Sequence, residues 1–281
     1  MSDGCGVDTA RSGSTADGPT AEPSLLAASL SGQADATWAR AAAPFVDGAL
    51  LGGIALDAAT RTAAADLVSR GRDEFLPEDP IAWIDDQLRA VADAPLRPGV
   101  NVRSTTPARI REAAAVCARH DAVCEINAHC RQPELRAAGC GETLLTDPAQ
   151  LASLVAAATD TGVTTSVKVR AAVPGVNLAA VADRVADAGA DWLHVDAMDS
   201  EPVVATIDAE GLGVVANNGV RGRQPVAEYA RYGADAVSVG RPSTDPVVLS
   251  RVAAAVADWR AGRLEERRVD HCDRPDRSEV P

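Results

Sequence analysis

The chain contains 27 Lys+Arg, and a single one of them, Lys168, is lysine. It lies in Ser166-Val167-Lys168-Val169-Arg170, where strand alternation puts Ser166, Lys168 and Arg170 on one face and both valines on the other. An ammonium turned into a protein interior is costly unless it meets an anion or strong acceptors. The candidates are a bound ligand, with which Lys168 is expected to make contact, or a carboxylate such as Glu125 or Asp196. Asn217-Asn218-Gly219 and Gly240-Arg241 have the make-up of a phosphate site: glycines that let backbone N–H groups approach an oxyanion, and a guanidinium that binds it bidentately. Cys130, between His129 and Arg131, offers a thiol that serves as nucleophile or as proton donor, depending on its pKa. Cys140, flanked by Gly139 and Gly141, competes for that role, whereas Cys117 and Cys124 read as apolar filler. His120, His129, His194 and His271 follow no HxH or HExxH spacing, so no metal centre is expected.

These groups need a scaffold that brings distant segments together. Short apolar, mostly β-branched runs occur at 24–29, 48–53, 99–103, 122–127, 163–169, 191–196, 213–217 and 235–240. Ala-rich helical patterns separate them, at 58–70, 79–93, 107–120, 147–161, 178–189, 224–232 and 245–261. Thr106-Pro107, Asp147-Pro148 and Asp245-Pro246 read as helix starts, and DAGADWLHV and RYGADAVSV repeat a helix–Gly–strand junction. Eight alternating units predict a single-domain (β/α)₈ barrel over 23–261, with an irregular excursion within 71–98. An open doubly wound sheet is the alternative, but SLSGQADATW after the first run lacks a GxGxxG turn. In a barrel, chemistry gathers at the C-terminal ends of the strands. Those ends carry Asn101 and Arg103, Asn127 to Cys130, Lys168 and Arg170, Asp196, Asn217 to Gly219, and Gly240-Arg241.

The net charge is −13, from 40 Asp+Glu spread along the chain. With one lysine and few aromatics this points to a salt-adapted cytoplasm, where global acidity does not argue against an anionic ligand. No apolar run approaches the ~20 residues of a membrane span, and no signal pattern opens the chain, so a cytoplasmic protein is expected. Residues 1–22 and 262–281 read as a disordered segment and a charged tail. Arg260, Arg263, Arg267 and Arg268 read as a solvated helix face or as a contact for polyanions.

In order, EINAHCRQPELRAAGCGETLL, SVKVR, DAGADWLHVD, VVANNGV and YGADAVSVGR resemble the flavin-barrel family of tRNA-dihydrouridine synthases, in particular its short archaeal-type branch, and more distantly dihydroorotate dehydrogenases. The match spans about residues 99–245. It implies a barrel that binds FMN and is reduced by NAD(P)H. By position it places Lys168 and Asn101 at the flavin ring, and Asn217, Asn218, Gly219, Gly240 and Arg241 at the FMN phosphate. Asn127, with His129 and Arg170 nearby, would face the substrate pyrimidine, and Cys130 would protonate it. The chain departs from the family in reading Asn127-Ala128-His129-Cys130-Arg131 for Asn-x-Gly-Cys-Pro, and in having Asp196 where a histidine is usual. The family's C-terminal helical domain, which grips tRNA, is not expected after residue 261.

Two enzymatic readings of function follow, beside that of a non-catalytic flavin- or RNA-binding remnant. The resemblance implies an FMN-dependent oxidoreductase that reduces the 5,6 double bond of uracil, in tRNA or in a small pyrimidine, with hydride from the flavin and a proton from Cys130. The residues alone also allow a phosphate-binding barrel lyase or aldolase in which Lys168 forms a Schiff base.

Overall fold

The computed structural model describes residues 24–264, so the expectations for the N-terminal segment and for most of the tail lie outside the described residues. Eight parallel strands close into a barrel in sequence order: β1 (Ser24–Ala27), β2 (Gly48–Ala55), β3 (Arg97–Arg103), β4 (Val123–Ala128), β5 (Thr165–Arg170), β6 (Trp192–Asp196), β7 (Gly213–Asn217) and β8 (Ala236–Val239). Each falls within two residues of an apolar run read from the sequence. The helices are α1 (Ala36–Ala42), α2 (Ala58–Ser69), α3 (Pro80–Ala90), α4 (Pro107–Arg119), α5 (Pro133–Ala137), α6 (Pro148–Thr159), α7 (Leu178–Asp187), α8 (Arg223–Arg231) and α9 (Pro246–Arg260). Among the described residues, no helix is long and apolar enough to cross a membrane.

The helix starts obey local chemistry. Asp57, Asp79, Asp147, Asn177 and Asp245 each accept a hydrogen bond from a backbone N–H of the first turn, and proline opens α3, α4, α6 and α9. Asp57 does more than cap α2. Its carboxylate also takes the Ser104 hydroxyl at 2.7 Å and the Thr105 N–H at 2.8 Å, joining the C-terminal ends of β2 and β3. α1 and α5 do not stand out in the sequence. The Asp35 cap of α1 is buried in a polar stretch, and the five residues of α5 are too short to show a period. Between α2 and α3 lies the irregular excursion, which returns over the barrel: Phe75 bridges Ile54, and Gly32 is packed against Asp73.

The core is the shell between strands and helices, where Val167, Val169, Leu193 and Val195 have no exposure. Small residues let the strands and helices approach. A methyl group on Gly99 would meet Leu50 Cδ2 at 2.5 Å, Val123 Cβ at 3.0 Å and the Val123 carbonyl at 3.1 Å. Gly99→Ala should therefore cost about 1–3 kcal/mol by overpacking. The check is a lower urea midpoint with an unchanged slope; an unchanged midpoint would mean the β3–β4 seam can yield.

Candidate active site

Alternation along the strands turns one set of side chains into the barrel, and strand register stacks them into a polar layer. Asn101 pairs in register with Glu125, Asn127 with Lys168, Lys168 with His194, and Asp196 with Asn217. Glu125 sits at the centre, with no exposure. One carboxylate oxygen accepts from Asn101 Nδ2 at 2.7 Å; the other lies 2.6 Å from His194 Nδ1 and 3.3 Å from Ser166 Oγ. His194 Nε2 is 2.7 Å from Ser238 Oγ, which also accepts from Asn217 Nδ2 at 2.5 Å. A neutral His194 donating to Glu125 and accepting from Ser238 satisfies every partner. Burial, which lowers the His194 pKa before any other cause, favours that form. For Glu125 burial alone would raise the pKa, but His194, then Lys168 and Asn101, hold the carboxyl well below the usual range, so it stays ionised.

Above this layer, at the C-terminal ends of the strands, opens a cavity of about 470 Å³. Lys168 projects into it from β5, only 4% exposed, and no hydrogen bond or ion pair to the described residues fixes its ammonium. Burial lowers its pKa from the ordinary 10.5, against the opposing pull of Glu125 and Asp196 and with a further push from Arg103. Beside it, His129 Nε2 lies 3.1 Å from Asp196 Oδ2. His129 Nδ1 has no partner among the described residues. Burial lowers the His129 pKa more than the Asp196 contact raises it. For Asp196 burial is outweighed by the hydrogen bond and charge of His129 and by Lys168, so the carboxyl lies below its ordinary value. The pair is thus a carboxylate-oriented imidazole, able to accept and return a proton.

The cavity brings together Asn127, His129, Cys130, Lys168, Arg170, Asn217, Asn218, Gly219, Gly240 and Arg241. Asn101 is not among its walls. It has no exposure, donates to Glu125 and accepts from Asn127 Nδ2 at 2.8 Å, and so acts as an internal strut. Asp196 pairs with His129 instead of forming an ion pair with Lys168 or Arg170. Cys130 is held by its backbone N–H, which donates to Asn127 Oδ1 at 3.0 Å, while burial pushes the nearby Cys140 thiol up to about 12. Arg72 and Arg221 line the cavity without having been singled out in the sequence. Arg221 lies two residues beyond Gly219 and was within reach of the motif; Arg72 arrives from the excursion, and nothing local marks it. Arg103 also lines the cavity, with its charge met by Glu74 at 2.6 Å and by Ser31 Oγ at 2.5 Å. Among the described residues, no group of three His, Cys, Asp or Glu side chains could hold a metal.

No family model matches the chain. An uncharacterized protein of Methanocaldococcus jannaschii is 29% identical over 203 residues, covering 68% of this chain and 78% of the relative. Among solved structures, a provisionally assigned lyase/mutase of Burkholderia cenocepacia J2315 aligns with a TM-score of 0.55 at 20% identity, over 89% of this chain and 85% of its own. The 3-hexulose-6-phosphate synthase of Salmonella typhimurium aligns with a TM-score of 0.54 at 14% identity, over 85% and 99%. The fold is thus the (β/α)₈ barrel. The dihydrouridine synthase resemblance finds no support in these matches. The expectation of uracil reduction by FMN with Cys130 as proton donor is overturned: the two aligned barrels are a lyase/mutase and a 3-hexulose-6-phosphate synthase. In the site, Asn101 is engaged by Glu125 and lines no part of the cavity.

Because Lys168 is the only lysine, ¹⁵N-lysine labelling gives one side-chain amine resonance. It should titrate below 10.5. Glu125→Gln and Asp196→Asn each remove a negative charge that raises this pKa, so both should move the titration further down, and an upward shift in either would contradict the described electrostatics.

Proposed function

We propose that the protein is a phosphate-binding barrel lyase or aldolase that makes or breaks a carbon–carbon bond next to a carbonyl, with Lys168 as the Schiff-base amine. The observation that carries this reading is the state of Lys168: buried, facing the cavity, unbonded among the described residues and depressed in pKa by burial. Burial that lowers a lysine pKa raises the share of the unprotonated amine, the form that adds to a carbonyl.

The chemistry follows from what surrounds it. The neutral amine adds to the substrate carbonyl, and loss of water leaves an iminium, which draws electrons from the neighbouring carbon. His129, oriented by Asp196, takes the proton from that carbon when a bond is made, or from the hydroxyl on the next carbon when the bond between them is broken, and returns it to the product. Gly219, Gly240, Arg221 and Arg241, on the loops after β7 and β8, hold the phosphate. The lyase and synthase character of the matching barrels accords with this assignment.

Borohydride reduction in the presence of dihydroxyacetone phosphate should leave a mass adduct on the peptide containing Lys168, and none in Lys168→Arg. If neither this ketone nor phosphorylated aldoses and oxo acids can be trapped, the Schiff-base reading is wrong. His129→Ala should keep the adduct but slow deuterium exchange at the α-carbon of the bound ketone by about 10²–10⁴-fold, followed by NMR in D₂O.

A further inference from the structure

The cavity walls are strongly cationic in a chain whose acids outnumber its bases, 40 to 27. Many arginines elsewhere find carboxylates, as Arg40 does in Asp93, Arg111 in Asp160 and Arg70 in Glu134, although Arg61, Arg184, Arg231 and Arg251 form no ion pair among the described residues. Arg72, Arg131, Arg221 and Arg241 are exposed at the mouth and form no ion pair among the described residues. Arg170 has only a loose contact, 3.9 Å from a Glu142 oxygen, while Arg136 holds the other oxygen of that carboxylate at 3.1 Å. Among the described residues, the one acid in the walls is Asp196, tied to His129.

Barrel order divides four of these cations between two poles. Arg221 and Arg241 follow β7 and β8, whereas Arg131 follows β4 and Arg170 ends β5. In a closed eight-stranded barrel β4 lies across from β8, so Arg131 and Arg241 belong to opposite sides of the mouth. A single phosphate neutralises one pole and leaves the other facing water. We infer that the natural substrate is a small molecule with two anionic ends, a sugar bisphosphate or a phosphorylated oxo acid, that spans the mouth from Arg221 and Arg241 to Arg131 and Arg170. The volume of about 470 Å³ suits a molecule of that size. This deepens the preceding reading, resting on its phosphate-binding mouth but not on its amine chemistry.

Calorimetric titration of the full chain with butane-1,4-diol bisphosphate and with butyl phosphate tests it at fixed ionic strength, since neither probe has a carbonyl. The bisphosphate should bind about tenfold tighter or more, the value of one additional charge-assisted contact. Arg131→Gln and Arg241→Gln should each reduce it to the level of the monophosphate. Arg184→Gln, which removes an exposed charge of α7 away from the mouth, should change neither probe. Equal affinity for the two probes, or equal sensitivity to Arg184→Gln, overturns the inference. So does displacement by single-stranded RNA that strengthens with length, which would mark a polyanion surface. A bisphosphate preference without a borohydride adduct removes the Schiff base and leaves the two-anion site; an adduct without the preference does the reverse.

Discussion

A carboxylate with no exposure sits at the middle of the barrel, and much of the interior is arranged to satisfy it. Isolated, the Glu125 anion would be prohibitive there; a buried charge persists only when paired and fully hydrogen-bonded. Asn101, Ser166 and His194 supply the bonds, and His194 in turn needs Ser238, which needs Asn217. The chain of bonds crosses β3 to β8, so the orientation of six strands around the axis is read out by one network. It also fixes Asn127, through Asn101, and with it the loop that carries His129 and Cys130.

The same anion shapes the reactivity of the mouth. Lys168 lies in the layer above Glu125, where burial pulls its pKa down and the carboxylates pull it up. A lysine buried without those charges would be neutral but poorly placed; one in a tight ion pair would be placed but unreactive. The intermediate state, charged neighbours without a fixed bond, is what leaves the amine free. His129 shows the complementary arrangement, with one ring nitrogen held at Asp196 and the other unpartnered among the described residues.

Strands, most helices and the inward direction of Lys168 were legible because each depends on local periodicity: alternation for strands, caps and first-turn prolines for helices. The convergence of Asn127, Lys168, Asn217 and Arg241 followed from placing strand ends on one face of a barrel. The Glu125–His194 pair was not legible, since it links positions 69 residues apart whose register is set only on closure. Asn101 illustrates the limit. Its place at a strand end was read correctly, yet the direction of its amide depends on a carboxylate on the next strand. Arg72 depends on how the excursion after α2 folds back, which no short window contains.

Trp38 of α1 donates its indole N–H to Ser243 Oγ at 3.2 Å, and Ser243 belongs to the turn Arg241–Thr244 that opens with the mouth arginine. The indole is 8% exposed, and with only four tryptophans in the chain its emission is not lost among many. A buried fluorophore is thereby wired by one hydrogen bond to the loop on which an anion would land. The protein carries its own optical gauge of events at that edge, with no dye needed to read it.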